Sequence, residues 1–164
     1  MNRLGKTAGC LAGFVMMAVL MLPLLSCFGP FASEEQLSIA GLESRVFTIV
    51  NEYRVSKGLK ALVWNDAMAD EERAHSQAMA SGQFPVGHQG FEERIARINK
   101  IIPWSLISEN VASAINADAA LEAWLRSPDH KVIIEGDYDL TGVGVAKDPD
   151  GPLIYFSQMF LKPY

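Results

Sequence analysis

The sequence predicts an α+β fold, and three observations carry that expectation. Apolar residues recur at helical spacing in segments between residues 39 and 134. Residues 140–146 and 153–161 are rich in small, branched and aromatic side chains and flank Pro149-Asp150-Gly151, which is a hairpin pattern. No β–α–β rhythm joins the two regions, which sets aside a doubly wound α/β fold. At 164 residues the chain suffices for one domain with a sizeable core and is too short for two.

Residues 1–26 stand apart from this pattern. Arg3 and Lys6 precede an apolar run over residues 8–25, and no acidic residue occurs before Glu34. A positive end, an apolar stretch and a small residue at the cut make an export signal. The run closes on Leu24-Leu25-Ser26-Cys27, which resembles the bacterial lipobox, where the signal is cut before a Cys that then receives lipid. That implies a membrane-anchored lipoprotein carrying palmitate-type acyl chains at Cys27; an ordinary signal peptide or an uncleaved anchor helix is the alternative. Residues 27–38, with Gly29, Pro30, Ser33, Glu34 and Glu35, read as a tether, and residues 39–164 as the domain.

Loss of residues 1–26 leaves 12 Lys+Arg against 19 Asp+Glu. This acidic balance serves solubility and argues against a nucleic-acid partner. The two cysteines are Cys10 in the signal and Cys27 at the cut, so the domain has no thiol pair and its core alone must hold it.

Leu42, Val46, Ile49, Val50 and Tyr53 share one face of a helix over residues 39–57, with Gly58 as its stop. Asn65 or Asp66 caps a second helix running to Gly82. Asp66, Asp70, Glu71 and Glu72 read as an acidic start suited to the helix dipole. Residues 82–90 form a loop, and residues 91–98 a short helix with Ile95 and Ile98 inward. Residues 107–114 suit a short strand or strand-like link. Asn116 caps a helix over residues 117–126, whose inner face is Leu121, Trp124 and Leu125. Ser127-Pro128-Asp129 is a helix-start signal, which places His130 in the first turn of a short helix ended by Gly136.

His88, Glu109 and His130 lie outside the long apolar patterns, in stretches that a fold can bring together. Two imidazoles and a carboxylate in one cavity can hold a divalent cation such as Zn2+ or move protons. The spacing alone does not announce a metal, since there is no HExxH and no pair one turn apart. The structural alternative has Glu109 accepting hydrogen bonds from both imidazoles, or from backbone N–H groups, and tying three loops together. His75, inside the second helix, reads as structural. Neither Ser127 nor Ser157 has the Gly-x-Ser-x-Gly setting of a nucleophile, which sets aside a serine hydrolase. Asn110 and Gln158 are polar residues in apolar stretches that satisfy backbone groups near the cleft or line it. Trp64, Trp124, Tyr155 and Phe156 read as core.

At this point the chain resembles a known family. Val50-Asn51-Glu52-Tyr53-Arg54 with Gly58-Leu59, Leu62 and Trp64 is similar to the opening helix of the CAP superfamily (cysteine-rich secretory, antigen 5 and pathogenesis-related proteins) and its exit. Residues 74–80 look like its second helix, and Glu109-Asn110-Val111-Ala112 resembles its Glu-Asn signature. Residues 123–130 resemble its Trp-to-His segment, while residues 142–146 and 155–160 look like its closing hairpin. Six pieces in the correct order, over about residues 42–162, place the chain with the bacterial, SCP-like branch.

The resemblance implies an α-β-α sandwich with a central, mainly antiparallel sheet and a surface cleft. In many members that cleft holds two His and two acidic residues, and it binds divalent metal in some. His88 matches the first His, Glu109 the first acid and His130 the second His. The fourth position is Ser127 here, where animal and plant members have Glu; bacterial members commonly show this change. Gln89-Gly90-Phe91 shortens the stretch after His88, and Asp129 stands where the bacterial branch usually has Gly, adding a carboxylate at the cleft mouth.

The function implied is an exported, lipid-anchored domain whose cleft (His88, Glu109, Asn110, Asp129, His130 and Gln158) binds a lipid, glycan or protein of the envelope or exterior. A divalent metal on His88, His130 and Glu109 is part of that expectation. One alternative is a metal-assisted hydrolase with His88, Glu109 and His130 as catalytic residues. Another is a non-catalytic scaffold. Fold alone does not choose among them.

Overall fold

A computed structural model describes residues 38–164; the expected export signal, Cys27 and the expected tether up to residue 37 lie outside the described residues. Helix α1 (Ile39–Ser56) starts where the Ser38 hydroxyl accepts from Gly41 N at 2.9 Å. A two-residue strand β1 (Val63–Trp64) leads into α2 (Asp66–Ala80), capped by Asn65 Oδ1 accepting from Met68 N at 3.0 Å. Then come α3 (Phe91–Asn99), β2 (Trp104–Ala114), α4 (Ala117–Arg126), α5 (Pro128–Ile134), β3 (Leu140–Lys147) and β4 (Ile154–Pro163). Asn116 caps α4, and Pro128 opens α5. Among the described residues no helix is long and apolar enough to cross a membrane.

The strands form one mixed sheet in the order β1-β3-β4-β2. β1 runs parallel to β3, while β3–β4 and β4–β2 are antiparallel. Helices α2 and α3 cover one face, and α1, α4 and α5 cover the other. The α+β class and the sandwich both follow from this arrangement.

Strand alternation explains the two unlike cores. Val143, Val145, Phe156 and Phe160 join Val46, Val50 and Trp124 in the larger one. Gly142, Gly144, Met159 and Leu161 face the other way, where Met68 and Ile98 close a smaller cluster. Trp124 and Phe156 are core, as expected, while Trp64 and Tyr155 are half-buried.

Buried Arg54 joins the end of α1 to the end of α5. It donates to the carbonyls of Lys60 (2.9 Å), Ile134 (2.6 Å), Gly136 (2.9 Å) and Tyr138 (3.3 Å). A guanidinium satisfies several orphan carbonyls at once, which a shorter side chain cannot do. That clamp fixes the segment carrying His130.

Two expectations change. β2 begins at Trp104 rather than near Ile107, because its first residues pair with the far end of β4 (Trp104 with Pro163). The acidic start of α2 reduces to Asp66, the one acid in its first turn. Glu72 instead turns inward and is fully buried.

Candidate functional site

β2 is an edge strand, and its alternation sends Glu109 and Asn110 to opposite faces of the sheet. Glu109 pairs in register with Met159 and points toward α3; Asn110 pairs with Gln158 and points toward α5. The loop carrying His88 borders the first side, and the start of α5 with His130 borders the second.

His88 Nδ1 lies 2.7 Å from Glu109 Oε2, and Arg94 Nη2 donates to Oε1. The Glu109 side chain is 1% exposed and that of His88 is 52% exposed. A carboxylate only accepts, so the imidazole donates from Nδ1 and keeps Nε2 for the exterior. Burial alone would raise the Glu109 pKa. The His88 hydrogen bond and the Arg94 charge outweigh it and hold the carboxyl below its ordinary value.

Two further bonds fix the loop that carries His88. Arg94 donates to Gln89 O at 2.6 Å, and His75 Nε2 donates to Gly87 O at 2.7 Å. Burial, and next the Arg94 charge, lowers the His75 pKa, so this ring is neutral and structural. A cavity of about 520 Å3 opens behind them, lined by Ala74, Ala78, Phe84, His75 and Arg94 among others. It faces α2 and α3 rather than the His88 ring.

On the other side, His130 Nδ1 shares a 2.8 Å hydrogen bond with Ser127 Oγ. Its pKa is lowered by burial first and by the His88 charge second, so the two rings feel each other. Asn110 Nδ2 donates to the His130 carbonyl at 3.0 Å, and Gln158 Nε2 to Thr141 Oγ1 at 3.0 Å. Both amides are fully buried. Asp129 is exposed. Ser157 is spent internally, on the Glu72 carbonyl at 3.0 Å and on Ser76 at 2.9 Å.

Glu109 therefore does not bridge two imidazoles. Its second donor is Arg94, because strand alternation turns it toward α3 and away from the His130 side. Sequence reasoning missed Arg94 and Glu72. Each sits at helical spacing on an apolar stripe: Phe91, Arg94, Ile95 and Ile98 on α3, and Met68, Glu72, Ser76 and Met79 on α2. A charged residue on a core stripe is a signal for a buried ion pair.

The structure does not confirm the expected metal. Among the described residues no three His, Cys, Asp or Glu groups are arranged to hold an ion. Both Glu109 oxygens already accept a hydrogen bond, one from His88 and one from Arg94, whose positive charge disfavours a cation beside it. His88, Glu109 and His130 do not fit a three-ligand site.

A mixed sheet between two helical layers, with a histidine loop held over a buried glutamate at its edge, defines a CAP-type domain. The chain belongs to the cysteine-rich secretory protein family (CAP), whose family profile matches residues 47–160. The uncharacterized membrane protein YlbC of Bacillus subtilis is 27% identical over 126 residues, which cover 73% of this chain. This chain spans 34% of that protein. An extracellular protein with an SCP domain from Bacillus anthracis is 25% identical, with a TM-score of 0.66 over 82% of this chain and 45% of that one. An outer surface protein of Borrelia burgdorferi shares the fold at a TM-score of 0.65 and 23% identity, over 74% of this chain and 92% of that one.

Proposed function

We propose that this chain is an exported, lipid-anchored CAP domain whose cleft binds an envelope or extracellular ligand, with a metal-assisted hydrolase as the alternative. The observation that carries this reading is the commitment of Glu109. Its oxygens face Arg94 and His88 rather than a substrate, so Glu109 acts on a ligand only through the His88 ring that it orients. What remains for a ligand is the outer edge of His88, the neutral ring of His130 and the carboxylate of Asp129. That set hydrogen-bonds a polar lipid head, a glycan or a protein side chain.

Envelope location is supported by Leu24-Leu25-Ser26-Cys27, by the membrane designation of the Bacillus subtilis relative and by the extracellular designation of the Bacillus anthracis one. Cys27→Ser is expected to leave an uncut precursor and to release the protein from the lipid-modified membrane fraction. Unchanged size and partition would remove the anchor.

For the cleft, the exported chain is titrated with lipid vesicles and with soluble cell-wall glycan fragments while the His ring 15N signals are followed. One probe is expected to shift His88 and His130, and His88→Ala to weaken it about tenfold, the worth of one good hydrogen bond. Zn2+-dependent turnover of an ester or amide that Glu109→Gln abolishes would establish the hydrolase instead. Micromolar Zn2+ binding lost in the His88→Ala, His130→Ala double variant would return a metal to the cleft.

A further inference from the structure

We infer that Glu72 is a positioning residue of this cleft: a buried carboxylic acid that keeps its proton in the folded protein and backs the Glu109 carboxylate as a neutral partner. Glu72 is 0% exposed, and neither of its carboxyl oxygens has a hydrogen-bond partner. Arg94 on α3 brings the facing cation, with Nε 3.7 Å from Glu72 Oε1, but its guanidinium bonds to Glu109. From β2 comes Glu109 itself. From β4 comes Ser157, whose hydroxyl goes to the Glu72 backbone carbonyl. β3 presents Gly144, which has no side chain, and His75 on α2 is neutral.

Two buried carboxyls thus face one guanidinium. If both were ionised, one negative charge would be stranded in the core, and a proton removes it at least cost. Glu109 has two donors that hold it as the anion. Glu72 has none, so the proton settles there. Burial and then the Glu109 charge push the Glu72 carboxyl well above its ordinary range, in the same direction. With Glu72 neutral, Glu109 stays turned to Arg94 and His88 instead of being repelled by a second anion. The inference stands whether the cleft binds or catalyses.

The test uses the full chain with 13Cδ-labelled glutamate. One carboxyl signal is expected to keep its protonated shift at pH 7 and to vanish in Glu72→Gln. If every glutamate titrates near its ordinary value, the inference is overturned. Linkage gives a second readout. A raised pKa contributes stability that is complete below the unfolded value, about 4.5, and is lost as pH rises toward the folded one. The amide variant lacks that loss, so its folding constant relative to wild type is expected to grow about tenfold per pH unit above 4.5. A pH-independent ratio would defeat the idea. If Glu72→Gln does not fold, the wild-type carboxyl titration alone decides.

Discussion

Arg94→Met is expected to cost about 3–5 kcal/mol of folding stability, the range for stripping one partner from a buried ion pair. The guanidinium side chain is 5% exposed and serves three groups: the Glu109 carboxylate, the Gln89 carbonyl and, at 3.7 Å, Glu72. Methionine keeps most of the volume, so the loss is electrostatic rather than a cavity effect. Against a total stability of about 5–15 kcal/mol, this lowers the melting temperature by roughly 10–20 °C. The sign with pH is also defined. Without its cation the cluster takes up one more proton on folding than wild type does, so the deficit shrinks by about 1.4 kcal/mol per unit as pH falls from 7 toward 4.5. Adding Glu109→Gln to the Met variant removes the carboxyl that must take up this extra proton and is expected to recover part of the loss, which a double-mutant cycle reads directly. A calorimetric cost below about 1 kcal/mol for Arg94→Met would show that Glu109 does not depend on this residue.

Much of the fold was legible because its element ends are written locally. Asn65, Asn116 and the Ser127-Pro128 pair mark helix starts that the structure reproduces. The early residues of β2 and the whole of β1 were not legible, since each depends on a partner strand distant in the chain: Trp104 on Pro163, and Val63 on Leu140. The site divides the same way. His88 and Glu109 could be paired only through the family resemblance, as nothing in their spacing brings residues 88 and 109 together. Glu72 and Arg94 carry a local signal, a charge at helical spacing on an apolar stripe. Glu72 read, with Asp66, Asp70 and Glu71, as part of an acidic helix start, yet helical spacing turns it onto the stripe of Met68 and Met79, against the sheet. Charge runs hide buried charges.

Gly144→Ala is expected to cost about 3 kcal/mol or more, at or beyond the upper end of ordinary overpacking. A Cβ at Gly144 would fall on the backbone of Glu72 and Arg73, so the helix itself would have to move. No rotamer change relieves that contact. Two buried hydroxyls seam the same approach, sharing two protons among three contacts: Ser76 Oγ with Gly144 O at 2.9 Å, Ser157 Oγ with Glu72 O at 3.0 Å, and Ser76 with Ser157 at 2.9 Å. Lifting α2 strains them all and draws the Glu72 carboxyl away from Glu109 and Arg94. Gly58→Ala is the control. There φ is +75° with nothing within 4 Å, so the substitution meets only the left-handed backbone penalty of about 1–2 kcal/mol. Denaturant midpoints for the two variants separate contact from conformation. If Gly144→Ala proved no worse than Gly58→Ala, the close seating of α2 on β3 would not govern stability. Gly144 matters through what it lets near: the helix that carries Glu72 up to Arg94, the guanidinium that also holds Glu109.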